Sequence, residues 1–404
     1  MHADTDSEHG RLARDLYVAL AAGNRDALDR LLHVDFTGHA TEGLPLGLGG
    51  TYLDAASMRR NFWGKIAKNF NVKATPTDFQ SLANGRLLVH GRYLGEALVG
   101  NGKVDAEFMH LLSFEGGRIV GLMQLTDSAR WADATRSEAD APTLRAVTYG
   151  VDNGLAILRM NRPEVHNAID LTMAEDLCEA ARRCASDPSV RALLLLGSGR
   201  SFTVGGDLAF LAGTRDGELP GLLRAMTGPY HEALRTFSRL NVPIVAGVQG
   251  AAAGGGLGML YCADIVVAAD NARVATGFSA LGLSMDGANS WFLPRLVGMR
   301  RAAELYFEGR VLNAQEALEW GLVTRVVPLE DFDGHVLASA QRLAAGPTRA
   351  YGEVRRLYRE SLGATLSEQL GAETEALFRT AGTADATEAI RSFVAKRKPV
   401  FSGR

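Results

Sequence analysis

The chain has 404 residues, with 43 basic and 46 acidic side chains and a formal net charge of −3. At roughly 150 residues per domain this length predicts two or three domains. The 47% of hydrophobic and 22% of charged residues exclude a disordered chain or a coiled coil, and a near-neutral balance with no basic run argues against nucleic acid or an anionic membrane as the main partner.

The opening MHADTDSEHG is polar and acidic, unlike a signal peptide. A helix from about Glu8 to Ala22 places Leu12, Leu16, Ala19 and Leu20 on one stripe, and Asn24–Leu32 follows as a second. A third, about Ala55–Phe70, carries Met58, Phe62, Ile66 and Phe70. Strand-like runs near 71–79, 85–96, 104–114 and 117–127 come next, divided by Asn84-Gly85 and Gly116-Gly117 turns. Helices first and an antiparallel meander afterwards predict an α+β domain over residues 1–133. The small, polar segment DATRSEADAPT (133–143) reads as its end and a linker, placed at 134–143.

From 144 to 404 the order alternates. Strands are predicted at 147–151, 154–160, 191–197, 244–249 and 264–269, with helices near 170–185, 221–239, 255–262, 299–307, 313–320 and 366–396. Alternation predicts an α/β core, and the charged helical tail an appendage packed on the core or on a neighbour. From Val242 to Ala269 only Gln249 and Asp264 interrupt apolar residues and glycine, which imitates a membrane span. Pro243 and six glycines make it instead a strand, a glycine turn, a short helix and a strand. Three cysteines, Cys178, Cys184 and Cys262, are too few for a disulfide framework and fit a reducing, cytoplasmic setting.

Two glycine loops follow strands here. One is SFTVGGDL (201–208) after ALLLLG; the other is GAAAGGGLG (250–258) after IVAGVQ. Glycines let backbone N–H groups approach a ligand, and two such loops aimed at one point make an oxyanion hole; tight strand–helix packing accounts for the same glycines. No G-x-G-x-x-G fingerprint with a following acid supports a dinucleotide. Asp264 reads as a capping or structural acid, and Asp207 as a loop-orienting one.

Residues 144–404 resemble the enoyl-CoA hydratase/isomerase (crotonase) family. The carrying motifs are LAILRMNRPEVHNAID (155–170), SFTVGGDL, VPIVAGVQGAAAGGGLGMLYCADIVVAAD (242–270), LGLSMDGANSWFLPRLVG (281–298), LNAQEALEWGLVTRVV (312–327) and FVAKRKPVFSG (393–403). The resemblance implies repeated ββα units and a helical C-terminal trimerisation region giving a homotrimer or hexamer. It also implies acyl-thioester substrates. Coenzyme A or phosphopantetheine would arrive with the substrate, with no permanently bound cofactor. By position, the oxyanion donors would be the N–H groups of Gly206 and Gly255. Hydratases of the family place two glutamates around the thioester; this chain has Gly258 at the first position and TGFS (276–279) in the region of the second. Asp286 lies in the loop where some isomerases of the family carry an aspartate, and one carboxylate beside an oxyanion hole can remove and return a proton through an enolate. Met285, Phe278, Trp291 and Phe292 would supply an apolar wall. Alternatively, Asp286-Gly287 is a turn, with Asn289 or Ser290 capping the next helix. Arg162, His166 and Asn167 fall in a segment resembling the family's CoA-contacting strand turn, and Lys396 and Lys398 could meet CoA phosphates or mark a solvated helix end.

Residues 8–131 resemble the SnoaL-like polyketide cyclase and ketosteroid-isomerase-like group through GLGGTYLDAASMRRNFWGKI (47–66), GRLLVHGRYLGEA (85–97) and FMHLLSFEGGRIVGLMQLTDSARW (108–131). The resemblance implies a cone-shaped α+β barrel closed by helices around an apolar pocket, with an Asp or His as acid/base. Candidates are His39, His90, His110 and Asp127; the alternatives are a satisfied core role for His110 and helix capping for Asp127. No cluster has metal-ligand spacing. The combined expectation is an acyl-thioester isomerase of polyketide or other specialised metabolism, of isomerase/lyase type, with a domain that binds or cyclises an apolar intermediate. Decarboxylation, ring rearrangement or C–C bond formation on the same hole is the enzymatic alternative, and non-catalytic binding or assembly modules the other. No membrane partner is expected.

Overall fold

The computed structural model describes residues 7–98, 100, 102–135 and 142–404, which divide into two compact units, Met1–Pro142 and Thr143–Arg404. Most of the expected linker, residues 136–141, and the opening six residues lie outside the described ones.

In the first unit, helices Glu8–Ala21 and Arg25–Leu31 are capped by Ser7 and Asn24, whose side chains accept from Gly10 and Ala27 N–H groups. Six strands follow: β1 (Leu32–Ala40), β2 (Gly50–Tyr52), β3 (Phe70–Ser81), β4 (Leu87–Ala97), β5 (Lys103–Glu115) and β6 (Arg118–Thr126). Strand β1 takes its first residue, Leu32, from the expected second helix, and the rest of it has no counterpart among the expected elements. Only its second half alternates, through Phe36, Gly38 and Ala40, and two of those residues are too small to signal a core face. It pairs in parallel with β6, so the sheet is not a pure antiparallel meander. The sheet order is β2-β1-β6-β5-β4-β3, open at a three-residue edge strand and at β3. A closed barrel is therefore not what these strands form. Helices and one sheet face enclose a core of Leu16, Phe36, Met58, Phe62, Phe108 and Trp131, all at most 1% exposed.

In the second unit the main sheet runs β15-β12-β10-β9-β8-β7. Its strands are β7 (Val147–Asp152), β8 (Leu155–Met160), β9 (Ala192–Gly197), β10 (Ile244–Val248), β12 (Ile265–Ala269) and β15 (Arg325–Val327). All pairs are parallel except β7 with β8. Both faces of the sheet are covered, which explains the unbroken ALLLLG. Leu193 and Leu195 join one apolar cluster with helices Leu171–Ser186 and Leu219–Arg239, while Leu194 and Leu196 join another with helix Phe332–Ala344. Three-residue strands β11 (Ala251–Ala253), β13 (Arg273–Ala275) and β14 (Val311–Asn313) make a second, small sheet. Each was too short to leave a period in the sequence.

The membrane-like run becomes β10, β11, a 3-10 turn, a five-residue helix and β12. Among the described residues no helix is long and apolar enough to cross a membrane. The single helix expected over 366–396 is two, Leu366–Ala381 and Ala384–Val394, divided at Gly382 and restarted by the Thr383 cap. These two helices expose Leu366, Leu377, Phe378, Ile390, Phe393 and Val394.

Candidate active site

Strands β9 and β10 deliver the two glycine loops side by side. The Thr203 N–H donates to the Ala251 carbonyl at 3.0 Å, and the Ala253 N–H donates to the Thr203 carbonyl at 2.9 Å. Gly205, at φ 82°, packs so closely on the second loop that a Cβ there would stand 2.8 Å from the Ala253 carbonyl oxygen. Ile169 pairs with the first loop, donating to the Gly205 carbonyl (2.7 Å) and accepting from the Asp207 N–H (2.9 Å). Ile169 thus bridges Gly206 through that residue's two neighbours. Gly255 is the second residue of the 3-10 turn Gly254–Gly256. N–H groups in a first turn have no acceptor within it. Both expected oxyanion donors thus belong to adjoining loops.

Asp286 comes to the second of them. A Cβ built on Gly255 would stand 3.5 Å from Oδ2 of Asp286. Gly287 and Ala288 are both left-handed, at φ 63° and 61°, and the Gly287 α-carbon sits against the Gly255 backbone too closely for any side chain. Asn289, fully buried, clamps the two loops: its amide donates to the carbonyls of Gly254 (2.9 Å) and Asp286 (2.7 Å), and its oxygen accepts from the Tyr261 hydroxyl (2.8 Å). The Tyr230 hydroxyl donates to the Gly255 carbonyl at 2.7 Å, and burial pushes this phenol well above its ordinary pKa, keeping it a donor. The other oxygen of Asp286, Oδ1, lies 2.6 Å from Nε2 of His231 on helix Leu219–Arg239. Their side chains are 33% and 39% exposed, so solvent reaches the pair.

Sequence reasoning missed His231 and Tyr230. The buried stripe of that helix is Met226, Tyr230, Ala233, Leu234 and Phe237. Tyr230 reads as core, and His231 is one ionisable residue off the stripe, next to Glu232 in sequence and 55 residues from Asp286. Of the expected apolar wall, Met285, Phe278 and Phe292 are half-buried, while Trp291 is 40% exposed and stacks with Arg295.

The first hydratase position is closed to an acid, whereas in the second region Gly277 has open space around it and a left-handed φ of 71°. A Cβ at Gly258 would stand 2.6 Å from the Gly287 carbonyl oxygen and 2.7 Å from Cδ1 of Leu234. Thr276 is buried and donates its hydroxyl to the Leu305 carbonyl at 3.0 Å. Asp207 caps helix Leu208–Ala212 through the Phe210 N–H, and Asp264 accepts from the Ile244 N–H and pairs with Arg355.

The CoA-contact candidates separate by role. Arg162 pairs with Asp170 (3.1 Å) and Asp207 (3.2 Å), bracing the first glycine loop. Asn167 is fully buried, its amide serving the carbonyls of Ser198, Ser201 and Phe202 and its oxygen accepting from the Arg162 N–H. Its side chain has no surface to offer a ligand. His166, left-handed at φ 55°, is half-buried with Nδ1 3.4 Å from the Ser201 hydroxyl. Lys396 and Lys398 are exposed, while Arg397 between them pairs with Glu388.

The four candidates in the first unit do not converge. On β5, Val104, Ala106, Phe108, His110 and Leu112 point inward. His110 is held at both ring nitrogens, Nδ1 by the Tyr17 hydroxyl (2.8 Å) and Nε2 by the Tyr93 hydroxyl (3.0 Å), and burial lowers its pKa to about 3. His39 and His90 lie on the other face of the sheet, half-buried, near the Thr51 and Thr77 hydroxyls. Asp127 caps helix Ser128–Ala134 through the Arg130 N–H.

Comparison with known proteins places the second unit. Residues 150–404 match the family model described as enoyl-CoA hydratase/isomerase. Similar proteins carry different activities in their names. One is the 1,2-epoxyphenylacetyl-CoA isomerase of Escherichia coli K12, 34% identical over 63% of this chain and 97% of that protein. Another is the 4-chlorobenzoyl coenzyme A dehalogenase-2 of an Arthrobacter species, 34% identical over 60% of this chain and 88% of that protein. A crystal structure of an enoyl-CoA hydratase from Polaromonas sp. JS666 superposes with a TM-score of 0.60 at 31% identity, covering 64% of this chain and all of that one.

Proposed function

The chain belongs to the enoyl-CoA hydratase/isomerase family, and on that footing we propose that residues 144–404 isomerise a double bond in an acyl thioester, carried by CoA or an acyl carrier protein. The observation that supports this reading most is a single acid, Asp286, set against Gly255 while the first hydratase position is closed to an acid and the region of the second carries none. The N–H groups of Gly206 and Gly255 receive the thioester oxygen as it gains negative charge. Asp286 takes a proton from C2 of a 3-enoyl thioester, the enolate forms, and the same carboxyl returns the proton at C4. His231 holds the carboxyl in place. A relative named as a trans-2-decenoyl-[acyl-carrier-protein] isomerase, from Streptococcus mutans, is 31% identical and agrees with this class. The full chain incubated with a 3-enoyl-CoA in D₂O should give the 2-enoyl product and incorporate deuterium; no exchange and no product with CoA or carrier-protein thioesters overturns the reading.

The 2.6 Å His231–Asp286 contact favours a second reading. A carboxylate beside an imidazole and solvent also suits covalent catalysis, in which Asp286 displaces a leaving group from an activated acyl ring and His231 draws a proton from the water that cleaves the ester. The dehalogenase relative belongs to that class of reaction by name. Halide release from a 4-halobenzoyl-CoA, with oxygen-18 from water appearing in Asp286 during a single turnover, separates the two.

The first unit is read as a module that binds, or cyclises, an apolar intermediate of specialised metabolism in a SnoaL-like manner. The apolar residues exposed on helices Leu366–Ala381 and Ala384–Val394 support a homotrimer or hexamer, and three cysteines, too few for a disulfide framework, support a reducing, cytoplasmic setting.

A further inference from the structure

A cavity of about 750 Å³ lies at the end of helix Leu219–Arg239, beside Tyr261–Asp264 and the first turns of Asn289–Val297, with helix Thr348–Glu360 along one side. Arg239, Arg355, Arg356 and Arg359 border it, against the carboxylates of Asp264 and Glu360. Both carboxylates are already engaged. Arg355 pairs with Asp264 and donates to the carbonyls of Leu240 and Cys262, and Arg356 pairs with Glu353 and Glu360. Arg239 and Arg359 have no carboxylate partner among the described residues, and Nη1 of Arg359 is buried without any acceptor. Burial, then the Arg355 charge, draw the Arg359 guanidinium down to about 10. An orphaned, desolvated cationic donor is costly, and such groups in native structures need an explanation. Tyr261, on the cavity wall, gives its hydroxyl to Asn289, and Trp291 and Phe292 line the space as well.

We propose that this cavity, whose lining includes neither Asp286 nor the two glycine loops, is a binding site for a free small anion of phosphate or carboxylate chemistry, received by Arg359 and Arg239. An anion there pairs with the guanidinium groups that line the space and neutralises the surplus charge. The volume lies within the usual range for small-molecule sites. Calorimetric titration of the full chain with inorganic pyrophosphate tests it. Saturable binding is expected, weakened at least ~tenfold by Arg359→Gln, the size of one lost charge-assisted hydrogen bond, and weakened also by Arg239→Gln. Should circular dichroism show that Arg359→Gln fails to fold, the exposed Arg239 variant carries the test. Absence of saturable binding, or binding unchanged by either substitution, overturns the proposal. So does a wild-type chain that ignores pyrophosphate while Arg359→Gln dissociates its oligomer, which assigns the arginines to a carboxylate on a second copy.

Discussion

Nε2 of His231 and Oδ1 of Asp286 stand 2.6 Å apart, joining a helix to a loop 55 residues further along the chain. The contact leaves Oδ2 of Asp286 toward Gly255, so one carboxyl has one oxygen anchored and the other facing the glycine turn.

Asp286→Asn keeps the shape and removes the base. Turnover of a 3-enoyl thioester should fall at least ~100-fold, the usual scale for a general acid–base, with circular dichroism and melting temperature unchanged. Unaltered turnover and deuterium exchange would remove Asp286 from the mechanism.

His231→Gln tests the anchor. Glutamine can donate to Oδ1 but lacks the fixed ring geometry, so kcat should drop roughly tenfold, about the value of one hydrogen bond to a charged group, while KM stays nearly constant. A covalent mechanism gives a different signature. There the first half-reaction survives and an ester on Asp286 accumulates, visible by mass spectrometry of quenched enzyme.

Gly258→Glu restores the first hydratase-like acid in sequence but not in space. Its Cβ meets the Gly287 carbonyl and Leu234, and overpacking of this kind costs about 1–3 kcal/mol. Melting should fall by several degrees, at roughly 2–4 °C per kcal/mol for a domain of this size, with no gain of hydration measured by loss of enoyl absorbance. A stable, hydrating variant would mean that the loop can retreat.

His110 gives the first unit a pH dependence. Its folded pKa of about 3 lies below the ordinary 6.5 because burial disfavours the charged ring. The unfolded chain therefore binds a proton that the folded one refuses, and stability present above pH 6.5 is lost as pH falls toward 3. Between pH 6.5 and 4.5 the loss amounts to about 2–3 kcal/mol. His110→Phe should flatten that part of the profile, followed by hydrogen exchange of β4 and β5 amides; an unchanged slope would contradict a neutral, buried imidazole.

The long alternating strands and amphipathic helices were legible because their periods extend over several turns. The alternation in β5, which turned His110 inward among Phe108 and Leu112, is an example. Three-residue strands such as β11 and β13 leave no period, yet they align the glycine loops. At the site, Gly206, Gly255 and Asp286 were reachable through motifs that resemble a family. His231 and Tyr230 were not, since their roles arise from helix Leu219–Arg239 meeting a distant loop. Asn167 shows the opposite failure. A polar residue inside a ligand-contacting motif turned out to hold three backbone carbonyls.

The order β15-β12-β10-β9-β8 carries a kinetic consequence. Each parallel neighbour is separated in sequence by intervening helices, so the sheet assembles only by closing long loops, which slows folding. Gly206 follows β9 and Gly255 follows β10. The proposed oxyanion donors are therefore brought together when those two strands dock. Recovery of catalysis after dilution from denaturant should lag behind recovery of helical signal, making enzymatic activity a clock for completion of the sheet.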